Sequence, residues 1–139
     1  MNVNALTRLQ GWGITVLRVV VGMVFLVHGG QKLFVFGFGG VAGFMGQAGF
    51  PAPMLAAVVL TAAEFLGGLA LVLGLFTRWA AIPLAFVMLV AVLVVHLKAG
   101  FFLPDGYEYA LTLLGANVAL ALLGSGEASV DGVLEKRRA

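Results

Sequence analysis

Residues 79–97 read WAAIPLAFVMLVAVLVVHL, an apolar run without a charged side chain. A helix needs about 20 largely apolar residues to cross a hydrocarbon core about 30 Å thick, so this run reads as a membrane span. It is too long and too uniformly apolar for a strand of a membrane barrel, which alternates at every residue. Working outward, three more stretches have the same character: Ile14–Leu33, Met54–Phe76 and Tyr107–Leu123. The last is the shortest and carries Gly115 and Asn117. Backbone amides in lipid must be satisfied within each segment. The expected fold is therefore all-α: an integral membrane four-helix bundle forming one domain over residues 1–139.

Composition agrees. The chain is 62% hydrophobic and 10% charged, whereas soluble domains are about 45–50% apolar and a quarter charged. An ordinary soluble domain is excluded, and so is a disordered chain. The absence of cysteine removes disulfide scaffolds, thiolate metal sites and thiol relays. Arg8 precedes the first stretch, but no small-residue cleavage pattern follows it, so it reads as a retained helix and not a cleaved signal.

Charge sets the orientation. Arg8, Arg18, Arg78, Lys136, Arg137 and Arg138 fall on one side of the spans, and only Lys32 and Lys98 on the other. The excess predicts that both termini are cytoplasmic. The basic run at 136–138 reads as a solvated tail. No basic patch exists outside it, so no nucleic-acid partner is expected; the lipid bilayer is. The connection Phe34–Pro53 holds six glycines and five phenylalanines, too apolar for a solvated loop. Within it Val41, Phe44, Met45 and Ala48 have helical spacing, which predicts a short interfacial helix between helices one and two. The first and third spans each end in a His and a Lys (His28 with Lys32, His96 with Lys98), a faint internal repeat.

Ionisable groups within a span cost about 2.5–3.5 kcal/mol on insertion scales, so their placement is informative. On helix one Arg18, Gly22, Phe25, Gly29 and Lys32 share a stripe, with His28 at its edge. Glu64 lies beside Gly67 and Gly68 on helix two, about 15 Å in at 1.5 Å per residue. Glu108, Thr112, Gly115 and Ala119 align on helix four. Small residues let helices approach, so these stripes are expected to face one another. Asn117 faces the other way, toward a neighbouring subunit of a homo-oligomer if there is one.

The candidates for ligand binding or proton handling are Glu64, His28, Lys32, Arg18, His96 and Glu108. Each also has a structural reading. Glu64 can lock helix two through Arg18, Lys32 or His28; Arg18 and Lys32 can snorkel to headgroups; His28 can be a packing residue and His96 an interfacial one; Glu108 can serve the helix dipole. His28 and His96, without thiolates, make no metal or haem signature, and no metal is expected.

Arg18, Gly22, Phe25, His28-Gly29 and Lys32-Leu33, then Gly49-Phe50-Pro51, Glu64, Gly67-Gly68, Gly74, Thr77-Arg78, Gly100-Phe101-Phe102, Glu108 and Ser129-Val130-Asp131 stand in the order and spacing of the DoxX family. The chain resembles these small bacterial inner-membrane proteins over nearly its whole length. The resemblance implies a link to respiratory or oxidative-stress chemistry, notably as the membrane subunit of a thiosulfate:quinone oxidoreductase, although this chain has no cysteine to carry sulfane sulfur. Three functions stay open. The bundle binds a quinone or similar lipophile in its outer half; it is a non-catalytic anchor or assembly subunit for a redox partner; or it is a small proton-coupled exporter.

Overall fold

The structure, a computed structural model, describes residues 2–138 and is helical nearly throughout, with no strand among the described residues. Helix α1 (Val3–Gln31) passes through a π-helical turn, Lys32–Phe36, into α2 (Gly37–Gln47). Next come α3 (Pro53–Leu73) and α4 (Thr77–Val90), the latter extended by a π-helical stretch, Ala91–His96, and a 3-10 turn, Leu97–Ala99. Helices α5 (Glu108–Leu123) and α6 (Val130–Arg138) complete the chain. Three helical runs, Val3–Gln47, Pro53–Leu73 and Thr77–Ala99, are long and apolar enough to cross a membrane. The fourth expected span is α5, with 16 residues.

Helix boundaries follow local chemistry. The first helix starts well before Ile14 because Asn2 caps it, its side chain accepting from Ala5 N at 3.0 Å. Helix α3 opens with Pro53, which has no amide to leave unpaired there. It stops at Leu73, short of the expected Phe76, because Gly74 adopts the left-handed conformation (φ 68°, ψ 39°). Leu75 N then bonds Ala70 O and Gly74 N bonds Leu71 O, closing the end. The expected helix between the first two spans is α2, with Val41 and Met45 buried and Phe44 half-exposed.

Packing turns on reciprocal glycines. A Cβ built on Gly22 would lie 2.7 Å from Val72 N and 2.9 Å from Gly68 O, and one on Gly68 would strike the backbone of Leu26. Antiparallel α1 and α3 therefore touch backbone to backbone, as small residues permit in lipid. Helices α4 and α5 form a second closely packed pair. Phe25, Leu71, Leu84 and Leu120 are fully buried between the pairs.

Two expectations need correcting. On α5 the inward face is Ala110, Leu113, Asn117 and Leu120, while Thr112 and Gly115 are exposed. Asn117 points into the bundle, its Nδ2 donating to Leu113 O at 2.8 Å, and so it is not free for a neighbouring subunit. The face carrying Leu113 and Leu120 buries more apolar side chain than the small-residue stripe, and it decides the rotation of the helix. The basic run 136–138 is exposed at the end of α6, whose first turn docks on the bundle. Asp131 Oδ1 and Oδ2 accept from Phe76 N (2.7 Å) and Thr77 N (3.0 Å), capping α4 from outside, and Asp131 N donates to Gly74 O.

Candidate functional site

The backbone contact between α1 and α3 decides which polar groups meet. Gly29 lies against the backbone of Glu64 and Phe65, so the next turn of α1 passes directly over Glu64. There the helix widens into the π-helical turn beginning at Lys32. Lys32 Nζ reaches Glu64 Oε2 at 2.6 Å. The pair is sheltered, with side-chain exposures of 21% for Lys32 and 6% for Glu64. At this separation and burial it is a charge-assisted hydrogen bond that holds the end of α1 to the middle of α3. Phe34 packs edge-on against Phe65 beside it, with centroids 5.9 Å apart.

The pair lies on the wall of a cavity of about 420 Å³. Phe25 and Val24 of α1, Leu60 of α3, Val87 and Ala91 of the α4 run and Leu113 of α5 make its sides. Met45 and Phe50 on one side, and the 103–106 loop on the other, close the end. The ionisable or hydroxylic groups on the wall are His28, Lys32, Glu64, His96 and Tyr109. Both π-helical stretches contribute, one through Lys32 and the other through Ala91, Val95 and His96. Such bulges break the 3.6 period and redirect side chains, frequently at functional sites.

Four of the six sequence candidates thus line one space, and two do not. Glu64 and Lys32 are joined. His28 borders the cavity and is exposed on its other side. His96 borders it too, with Nδ1 2.8 Å from Asp105 O. Arg18 is 1% exposed at the opposite end of the bundle. It neither snorkels nor meets Glu64. Its guanidinium donates to the carbonyls of Leu71, Val72 (2.9 Å), Ser125 (3.0 Å) and Ala128 (2.5 Å). Those carbonyls include the last ones of α3, the negative end of its dipole, so the cation clasps three segments with no carboxylate in contact among the described residues. Thr15 Oγ1 completes the clasp by accepting from Glu127 N and Ala128 N. Glu108 also lies outside the cavity, where its Oε1 accepts from Leu103 N at 2.7 Å and pins the preceding loop. Sequence reasoning overlooked Tyr109 on the cavity wall and Asp131 in the cap. No spacing sets Tyr109 apart on its helix, and Asp131 stands in the sequence only as part of the family pattern, without a partner to suggest a cap. Among the described residues no three His, Cys, Asp or Glu side chains gather as metal ligands would.

Residues 13–97 match the family DoxX. The chain belongs to the DoxX family. Lys32, Glu64, His28 and His96 all fall within the matched region, whereas Glu108, Tyr109 and Asp131 follow it. Curated relatives extend the likeness further. The chain is 36% identical over 119 residues to a Bacillus subtilis protein named "Putative oxidoreductase CatD", covering 86% of this chain and 84% of that protein. It is 30% identical over 136 residues to the Escherichia coli inner membrane protein YqjF, covering 94% and 98%. Inner membrane protein YphA of the same organism is 29% identical over 124 residues, covering 85% and 87%. No solved structure matches the chain. As a DoxX protein with several apolar helices, it is a membrane protein.

Proposed function

We propose that this DoxX protein holds a quinone or chemically similar lipophilic molecule in the cavity beside Lys32 and Glu64. The observation that carries the proposal is an apolar space of about 420 Å³ with one partly buried ion pair on its wall. Small-molecule sites of about 300–1,000 Å³ are mostly apolar with a few convergent polar groups, and this cavity has that composition. A quinone supplies two carbonyl oxygens that accept hydrogen bonds and take up protons on reduction. Lys32 and His28 are the donors placed to hold such an oxygen, and Glu64 is the carboxyl group able to hold a proton next to it. Phe25, Leu60 and Val87 exclude water from the ring. The charge count and the inner-membrane relatives support an inner-membrane location with both termini cytoplasmic.

The test is extraction of quinone from purified, folded protein. Wild type should carry it, and Glu64→Gln and His28→Ala proteins that elute and melt as folded bundles should carry less. Wild type that yields none, and whose melting is unmoved by added ubiquinone or menaquinone, rules the proposal out.

A second reading, that the chain anchors a redox partner protein, is favoured by α6. Its Glu135, Lys136, Arg137 and Arg138 are all exposed at the end away from the cavity. That reading expects a partner in mild-detergent pull-downs that is lost when α6 is neutralised, with quinone content unchanged.

A further inference from the structure

We infer that the cavity is loaded sideways from the bilayer, through the seam between α3 and α4, and that its occupant is an amphiphile dissolved in the membrane, headgroup inward. This rests on the ligand-holding reading above and adds the route and the solubility class. The decisive residues are Phe86, Val90 and Val59. At 100° per residue Phe86 and Val90 lie on the side of α4 roughly opposite buried Met88, yet both line the cavity. Val59 likewise lies far round α3 from buried Glu64 and lines the same space. The cavity must therefore run out between the two helices to their outer surface, where Phe86 is 65% and Val59 58% exposed. That opening is at membrane depth. Phe86 is nine residues from Thr77 and Glu64 ten from Gly74, so both stand about 14–15 Å above the α3–α4 turn.

The alternatives are more firmly shut or differently lined. Over the end of the bundle, Val41 and Met45 pack on Ala57. The loop beyond His96 is stitched by Tyr107 N to Gly100 O (2.9 Å), Glu108 N to Phe101 O (3.0 Å), Leu103 N to Glu108 Oε1 (2.7 Å) and the His96–Asp105 contact. Phe44, Leu103 and Pro104 line the cavity and are exposed there, so the cavity reaches this rim too, but widening it requires breaking several hydrogen bonds. The α1–α5 seam is bordered by His28 and Tyr109, a polar edge ill suited to an apolar tail. At the α3–α4 seam only side chains obstruct, and a rotamer change of Phe86 widens it. The α4 wall can also yield, because Pro83 on one side of Phe86 cannot donate to the preceding turn and the Ala91–His96 bulge interrupts the ladder on the other.

The absence of cysteine makes a clean test possible. A single Ala91→Cys substitution places one thiol on the cavity wall, and the variant is reconstituted in phosphatidylcholine vesicles. Labelling by a membrane-partitioning maleimide is compared with labelling by a charged, water-soluble thiosulfonate, each relative to unfolded protein. The portal predicts that the maleimide reacts faster. Phe86→Ala should quicken it and Val59→Trp slow it by roughly tenfold, the scale on which access steps vary among variants. Val27→Trp and Leu111→Trp, at exposed positions off the cavity wall, should leave it unchanged. The inference is overturned if the charged reagent reacts as fast, if neither reagent reaches the thiol in vesicles, or if Phe86→Ala and Val59→Trp both leave the maleimide rate unchanged. Added quinone separates the two proposals: if it fails to protect the thiol while the portal pattern holds, the quinone assignment falls and the route stands.

Discussion

Replacing Lys32 by Met keeps an unbranched side chain, one atom shorter, and removes its charge, leaving Glu64 Oε2 without the partner it now holds at 2.6 Å. Breaking a buried pair from one side costs about 3–5 kcal/mol, because the remaining charge is uncompensated. The 21% exposure of the Lys32 side chain places the loss near the lower end of that range. The companion variant Lys32→Met/Glu64→Met removes both charges, and replacement of a whole buried pair by apolar groups of similar volume is often neutral or stabilising by about 1–4 kcal/mol. The single variant should therefore be less stable than the double one, a non-additivity expected of groups in contact. Reversible unfolding in bicelles, followed by the fluorescence of Trp12 and Trp79, measures both. A loss below about 1 kcal/mol in Lys32→Met, or a double variant no more stable than the single, would refute the reasoning, since either means that the pair is not desolvated.

Gly22→Ala should cost about 1–3 kcal/mol by overpacking, because the new methyl would sit 2.7 Å from Val72 N; Gly115→Ala, with open space around it, should be neutral in the same unfolding assay. Asp131→Ala removes the outside cap of α4 and should lower stability by about 1 kcal/mol, with quinone content unchanged because the cap lies at the far end of the bundle. Asn117→Leu should be neutral or stabilising, for Asn117 Oδ1 is buried without a partner among the described residues and an apolar side chain of similar size removes its desolvation cost; marked destabilisation would show that the Nδ2 bond to Leu113 O outweighs that cost.

The helical membrane architecture was legible because hydropathy over about 20 residues is a coarse signal that loop details cannot disturb. The inward stripe of α1 was legible too, since Arg18, Gly22, Phe25 and Gly29 follow one helical period and are all buried. Lys32, on the same stripe, meets Glu64 as one of the three partners the sequence offered; only the π-helical turn at which it sits goes unannounced by the apolar repeat. What failed was period-based reasoning where two faces compete. On α5 a small-residue stripe competed with a larger Leu-bearing face and lost. Arg18 was placed on the correct face with the wrong partners: carbonyls at a helix terminus, brought close by Gly74 and the segment 125–128, satisfy a guanidinium as fully as a carboxylate does. Those carbonyls come from distant parts of the chain, so spacing alone could not show them.

The most direct measurement of the central claim is the infrared difference spectrum of a carbonyl-labelled quinone in the wild-type protein and in Lys32→Met. If the buried pair forms the polar end of a ligand cavity, one carbonyl stretch is lowered relative to free quinone in lipid, and Lys32→Met restores it toward the free position. Two carbonyl bands that coincide with those of quinone in protein-free vesicles, in both proteins, would contradict the account.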